Sequence, residues 1–194
     1  MSSDTSPTRE RILQAALSLL EAGGALRMSD IARKAGVSRQ ALYLHFASRA
    51  ELLIETTRHL DRITGSEAKL APSRAAKTGR ERLDAFVTAW SHYLPRIDNS
   101  ARTLIALAET DAEAREAWSK RMQDMREGCE AAIVALARDG DLAPDWPPER
   151  ATDLLWTLLS YQNWRQMTGD CGMSDEAYRA EMLTMVRKLF VKTG

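Results

Sequence analysis

Apolar residues recur along this chain at intervals of three and four, the spacing that gathers them on one face of an α-helix. Strand-like alternation is absent, and Asp139-Gly140 reads as a helix end rather than a hairpin turn. The pattern predicts an all-α fold of about nine helices. The first, Thr8 to Glu21, carries Ile12, Ala15, Ala16, Leu19 and Leu20 on one face and ends at Gly23-Gly24. The second, Asp30 to Ala35, takes Ser29 as N-cap and stops at Gly36; the third, Arg39 to His45, is capped by Ser38. A capping box, Ser48-Arg49-Ala50-Glu51, opens the fourth, which runs to about Thr64.

From Gly65 to Gly79, small and charged residues surround Pro72, predicting a frayed helix end and a loop. An N-terminal domain of residues 1–55, including the start of the fourth helix, is expected before a C-terminal helical domain of 56–194. Thr78 and Glu81 cap a fifth helix with Leu83, Phe86, Val87, Trp90 and Leu94 on one face, ended by Pro95. A short sixth covers about Ser100 to Glu109. The seventh follows Asp111 and reaches Arg138, with Trp118, Met122, Met125, Cys129, Ile133 and Leu136 in helical register. After a loop from Gly140 to Pro147, the eighth runs from Pro148 to about Thr168. The ninth is capped by Ser174 and carries Tyr178, Met182, Met185, Val186, Leu189 and Phe190.

Composition adds little to this picture. The 194 residues hold 27 basic and 27 acidic side chains, so any basic surface is local. Residues 1–60 carry eight basic against six acidic residues, a net of +2, with His45 and His59 in addition. No apolar run approaches the ~20 residues of a membrane span. Met1 to Pro7 is polar and lacks a signal-peptide core, so a cytoplasmic protein with no membrane partner is expected. Two cysteines, Cys129 and Cys171, form no metal-binding spacing, and no metal or cofactor is expected.

The segment Ile31-Ala32-Arg33-Lys34-Ala35-Gly36-Val37-Ser38-Arg39-Gln40-Ala41-Leu42 has the spacing of a helix-turn-helix spanning Met28 to Phe46. Gly36 supplies the turn, Ala32 permits close crossing, Val37 fills the turn, and Leu42 plugs the space between helices. Arg39 and Gln40 then stand on the first turn of a recognition helix, where arginine pairs with guanine and glutamine with adenine. Ser38 at the N-cap suits a phosphate, and Tyr43 and His45 lie beyond the base-reading turn. Ser29 and Arg49 flank it near other helix starts. Two short capped helices also occur in ordinary bundles, where Gly36 would serve only as a C-cap.

The run Gly36-Val37-Ser38-Arg39-Gln40-Ala41-Leu42-Tyr43-Leu44-His45-Phe46-Ala47-Ser48-Arg49-Ala50-Glu51-Leu52 resembles the signature of the TetR family. Arg9-Glu10-Arg11-Ile12-Leu13-Gln14-Ala15-Ala16 is similar to that family's first helix, and the resemblance covers residues 8–55. It implies an N-terminal three-helix DNA-binding domain and a C-terminal bundle for ligand binding and dimerisation. It also implies a transcriptional repressor, with backbone contacts from Ser29, Ser38, Tyr43, His45 and Arg49 and base contacts from Arg39 and Gln40. Leu44 departs from the pattern, in which a polar or aromatic residue is common; it either meets a thymine methyl or packs.

One recognition helix buries too little surface for operator affinity, so a homodimer on palindromic double-stranded DNA is expected. The eighth helix is apolar nearly all round, which suits the eighth and ninth helices to the dimer interface; burial inside a monomer is the alternative. The resemblance further implies a small-molecule inducer. Trp90, Tyr93, Trp118, Met122, Met125, Cys129, Trp156, Tyr161 and Trp164 are its candidate lining, and the same stripe also suits plain core. No nucleophile elbow, phosphate loop or zinc-protease motif occurs, so an enzyme is not expected; a helical-bundle enzyme and a constitutive regulator without inducer are the alternatives.

Overall fold

The computed structural model describes residues 6–23 and 26–193. Residues 1–5 of the polar N-terminal stretch and Gly24 lie outside the described residues. The fold is all-α, with ten α-helices and one π-helical turn among the described residues. These are α1 (Pro7–Glu21), α2 (Met28–Ala35), α3 (Arg39–His45), α4 (Arg49–Thr64), α5 (Ser66–Ala75), α6 (Gly79–Ala108), α7 (Ala112–Arg138), α8 (Pro148–Leu158), α9 (Tyr161–Arg165), a π-helical turn (Gln166–Asp170) and α10 (Asp175–Phe190). No helix among them is long and apolar enough to cross a membrane.

Four expected boundaries moved. The second helix starts at Met28, not Asp30, because the N–H groups of Asp30 and Ile31 already bond to Arg27 O and Met28 is buried. Its N-cap is therefore Arg27, and Ser29 sits inside the first turn. The expected loop of 65–79 is largely helical, as α5. Gly65 takes φ 67° and begins a new helix rather than unravelling the old one. Ser73 Oγ donates to Arg82 O at 3.0 Å, and Arg74 pairs with Glu67, so α5 is tied both to α6 and to itself. Pro95 does not end a helix: α6 continues through it, because Tyr93, Leu94, Ile97 and Ala101 on either side are all buried. A proline forfeits one helical hydrogen bond, which this burial offsets. The eighth helix, expected to be continuous to Thr168, breaks after Leu158. Ser160 caps α9 by accepting from Asn163 N at 3.2 Å, and Asn163 Nδ2 donates back to Leu158 O at 2.6 Å.

Cα packing divides the chain into two units. One comprises Met1–Thr64 and Ile97–Met122, the other Gly65–Arg96 and Gln123–Gly194. In the first unit, Ile12, Leu13 and Ala16 of α1 meet Met28, Ile31 and Ala32 of α2, Leu42 of α3, and Leu52 of α4. A second cluster joins Leu20, Leu26 and Leu53 to Leu104, Ala114 and Ala117 on α6 and α7. Ion pairs lace the same elements: Arg9 Nη2 lies 3.0 Å from Glu55 Oε2, with its guanidinium 4.8 Å from the Phe46 ring centre. Arg121 Nη2 lies 2.7 Å from Asp61 Oδ1.

The second unit has its own core. Leu83, Phe86, Val87 and Leu94 of α6, Cys129, Ile133 and Leu136 of α7, Leu155 of α8, and Tyr178, Met182, Val186 and Phe190 of α10 are buried. Gly128 sets one close approach: a Cβ there would lie 2.6 Å from Phe86 Cε2, so only glycine lets the ring rest on α7. The chain end is fastened by Ala143 N donating to Phe190 O at 2.8 Å and Lys192 N to Asp141 O at 2.8 Å.

Candidate nucleic-acid interface

The turn between α2 and α3 is built by one residue. Gly36 takes φ 65°, the left-handed conformation a side chain resists, and its N–H returns to Arg33 O at 3.2 Å. Val37 N then donates to Ala32 O at 3.0 Å, which turns the chain toward α3. Ser38 Oγ accepts from Ala41 N at 3.0 Å, leaving its own hydroxyl hydrogen for another acceptor. Leu42 is fully buried and anchors α3 to α1 and α2. With Leu42 its single buried residue, the seven-residue α3 leaves Arg39, Gln40, Tyr43 and Leu44 exposed.

That outward surface holds most of the expected residues. Ser38, Arg39 and Gln40 are exposed around the first turn of α3. Tyr43 is 46% exposed and Leu44 83% exposed on the next. A leucine so exposed packs on nothing in its own chain. His45 is half-buried, and Ser29 is exposed on the first turn of α2. Arg33, also exposed, is paired with Asp30 at 2.7 Å.

Arg49 stands apart. Its side chain is only 16% exposed, and Nη1 lies 2.7 Å from Asp111 Oδ2 and 3.2 Å from Glu113 Oε2. Its Nε donates to Leu26 O. The guanidinium expected at a phosphate is engaged within the first unit, joining the start of α4 to the corner between α6 and α7. Burial alone would raise the Asp111 carboxyl, but the Ala114 N–H and the Arg49 guanidinium more than offset it and hold its pKa below the usual value. Spacing does not reveal this role, because the partners lie 62 and 64 residues away.

The nine candidate pocket residues are divided between the two units. Trp118 and Met122 are half-buried in the first unit; the other seven belong to the second. Trp90 and Tyr93 stack with ring centres 5.4 Å apart, and Trp90 Nε1 donates to Leu159 O at 2.7 Å. Tyr161 and Trp164 lie 5.7 Å apart, and Trp164 Nε1 donates to Asp175 Oδ1 at 3.1 Å. Met125 and Cys129 are buried, burial pushing the Cys129 thiol pKa up, and Trp156 is half-buried. A separate open groove of about 660 Å³ lies along α5 and α6, lined by Lys69, Pro72, Glu81, Asp84, Ala85, Thr88, Ala89, His92 and Arg96. None of the nine lines it. Among the described residues no three His, Cys, Asp or Glu side chains are grouped to hold a metal ion.

A family model described as bacterial regulatory proteins, tetR family, matches residues 12–56, which contain all of α2 and α3. Residues 12–56 are a TetR-family segment. The TetR-family match coincides with the helices that share the first core cluster. Among curated relatives, the HTH-type transcriptional regulator BetI of Agrobacterium fabrum is 42% identical over 81 residues, spanning 41% of this chain and 39% of BetI. The chain thus spans well under half the length of that relative. The HTH-type transcriptional regulator TtgR of Pseudomonas putida is 28% identical over 162 residues, covering 78% of this chain and 76% of TtgR. The SmeT–triclosan complex shares the fold at a TM-score of 0.72 and 21% identity, over 97% of this chain and 94% of that one.

Proposed function

We propose that this TetR-family regulator represses transcription as a homodimer on a palindromic operator and is released by a small, largely apolar molecule. The observation that carries the DNA-binding part is the exposed face of α3, held in place by buried Leu42. Arg39 and Gln40 read base edges in the major groove, and Leu44 meets a thymine methyl beside them. Ser29, Ser38, Tyr43 and His45 contact phosphates. Arg49 braces α4 against the α6–α7 corner instead. Two copies join through the segment 148–170 and α10, where Leu154, Trp156 and Leu158 stay half-buried in a single chain. With about four phosphates per half-site, the logarithm of affinity should fall with the logarithm of salt at a slope near −7, with two chains per operator. A salt-independent affinity, or one chain per operator, contradicts this reading.

Ligand release is supported by likeness to SmeT, which is known in complex with triclosan. Trp90 and Trp164 spend their indole N–H groups on their own chain, and this favours a second reading: a constitutive regulator with no effector. Thermal-shift screening separates the two. A small molecule that both raises the melting temperature and releases DNA supports the first; stabilising molecules that never release DNA support the second.

A further inference from the structure

The groove on α5 and α6 is a stripe of one helix face. Glu81, Asp84, Ala85, Thr88, Ala89, His92 and Arg96 succeed one another at helical spacing, so Asp84 and Arg96 lie about 18 Å apart along the axis. The acids and bases on that stripe are unequally satisfied. Asp84 is committed to Arg187, its two oxygens lying 2.8 and 2.7 Å from the guanidinium. Glu81 Oε2 accepts the N–H groups of Lys77 and Thr78 at 3.1 and 3.2 Å. Toward the other end, Lys69 Nζ is shielded from solvent and has no hydrogen-bond partner. Burial pushes the Lys69 pKa down, and the charge of Arg96 pushes it the same way. His92 Nδ1 lies 3.2 Å from Arg179 Nη1; burial lowers its pKa most, followed by the charges of Arg179, Lys69 and Arg96. Basic groups of α5, α6 and α10 therefore crowd one end of a groove whose floor is alanine.

A shielded ammonium without a partner is costly, and a carboxylate set against it forms a charge-assisted pair. Small residues at Ala85 and Ala89 leave room beside it for a slender apolar body. We propose that this groove binds a monocarboxylic acid, its carboxylate against Lys69 and Arg96 and its hydrocarbon body along Ala85 and Ala89. That the acid also alters DNA binding rests on the ligand-responsive reading above; that it binds does not.

Decanoate and 1-decanol, titrated calorimetrically into the full chain below their aggregation limits, separate the head group from the tail. Decanoate should bind about tenfold or more tightly than decanol, the scale of one charge-assisted hydrogen bond. Lys69→Met should erase that difference, leave decanol unchanged, and melt no lower than the parent, since it removes a buried charge without a partner. Lys69→Gln should also lose the difference. Ala85→Phe should weaken both compounds. Equal affinities in the parent chain, a Lys69→Met variant that keeps the preference, or no binding of decanoate at millimolar concentration would overturn the site. With operator DNA present, decanoate that binds without releasing DNA supports the groove and contradicts ligand responsiveness. DNA release by decanol alone, unaffected by Lys69→Met and Ala85→Phe, does the reverse.

Discussion

The segments 28–46 and 148–170 are both short helices joined by capped turns, and they use their side chains in opposite ways. In the first, Met28, Ile31, Ala32 and Ala35 bury one face of α2, Leu42 alone is buried within α3, and Arg39, Gln40, Tyr43 and Leu44 of α3 are exposed. In the second, Leu155, Leu159, Tyr161 and Trp164 are buried, the Trp164 N–H donates to Asp175, Leu159 O accepts from Trp90 of α6, and Trp156 Nε1 is shielded without a hydrogen-bond partner. The first arrangement offers chemistry to a partner at little cost to its own packing. The second has spent most of its chemistry on itself. The exposed face of α3 should therefore tolerate substitution in the folding sense while being sensitive in the binding sense, and the buried residues of 148–170 should be sensitive in the folding sense.

The comparison breaks most sharply at Leu42. Leu42→Ala should cost about 3 kcal/mol of stability by leaving a cavity under α3, visible as a lower urea midpoint together with lost DNA binding. An unchanged midpoint would mean α3 is held by something else. Arg39→Ala, by contrast, should cost about 1–3 kcal/mol of operator affinity, relax preference at one base position, and leave the melting temperature unaltered. Gln40→Ala should act alike at a neighbouring base.

Arg49 sharpens the contrast because it lies beside the reading face and is engaged inward. Arg49→Met should lower stability by about 1.5–3 kcal/mol at neutral pH, the scale of hydrogen bonds to charged groups. The salt slope of DNA binding should stay the same; a slope reduced by about one would make Arg49 a phosphate contact after all. The pH dependence has a definite sign. A carboxyl held below its usual pKa in the folded state adds stability above the unfolded pKa, and that stability is lost as pH falls through the folded one. Asp111 is such a group, so the gap between parent and variant should close as pH drops below the ordinary carboxylate range. Ser160→Ala, which removes the cap of α9, should cost about 1 kcal/mol in stability and leave DNA binding unchanged.

The same contrast explains what the amino-acid sequence made legible. Gly36, Ser38 and Leu42 act on neighbours within a few residues, so spacing alone placed the turn, the cap and the plug. The direction of Arg39 and Gln40 followed from the position of Leu42. Leu44 was ambiguous in sequence, because an apolar residue on a short helix is as easily core as surface; its exposure removes the packing alternative within the chain. The break at Leu158 was not legible, since Leu159 is held by Trp90 from 69 residues away. Continuity through Pro95 likewise depends on burial from other helices, and α5 on contacts such as Ser73 with Arg82. The inward partners of Arg49 were not legible for the same reason: its motif position is local, and Asp111 and Glu113 are distant in sequence.

The most direct test is selection of bound duplexes from random DNA by the parent chain and by an Arg39→Ala/Gln40→Ala double variant. The parent should select an inverted repeat, with half-sites one helical turn apart or a multiple of it. The double variant should lose preference at the base pairs those two side chains read, with binding to phosphate retained. An identical selected sequence from both proteins would contradict the claim that α3 reads DNA through Arg39 and Gln40.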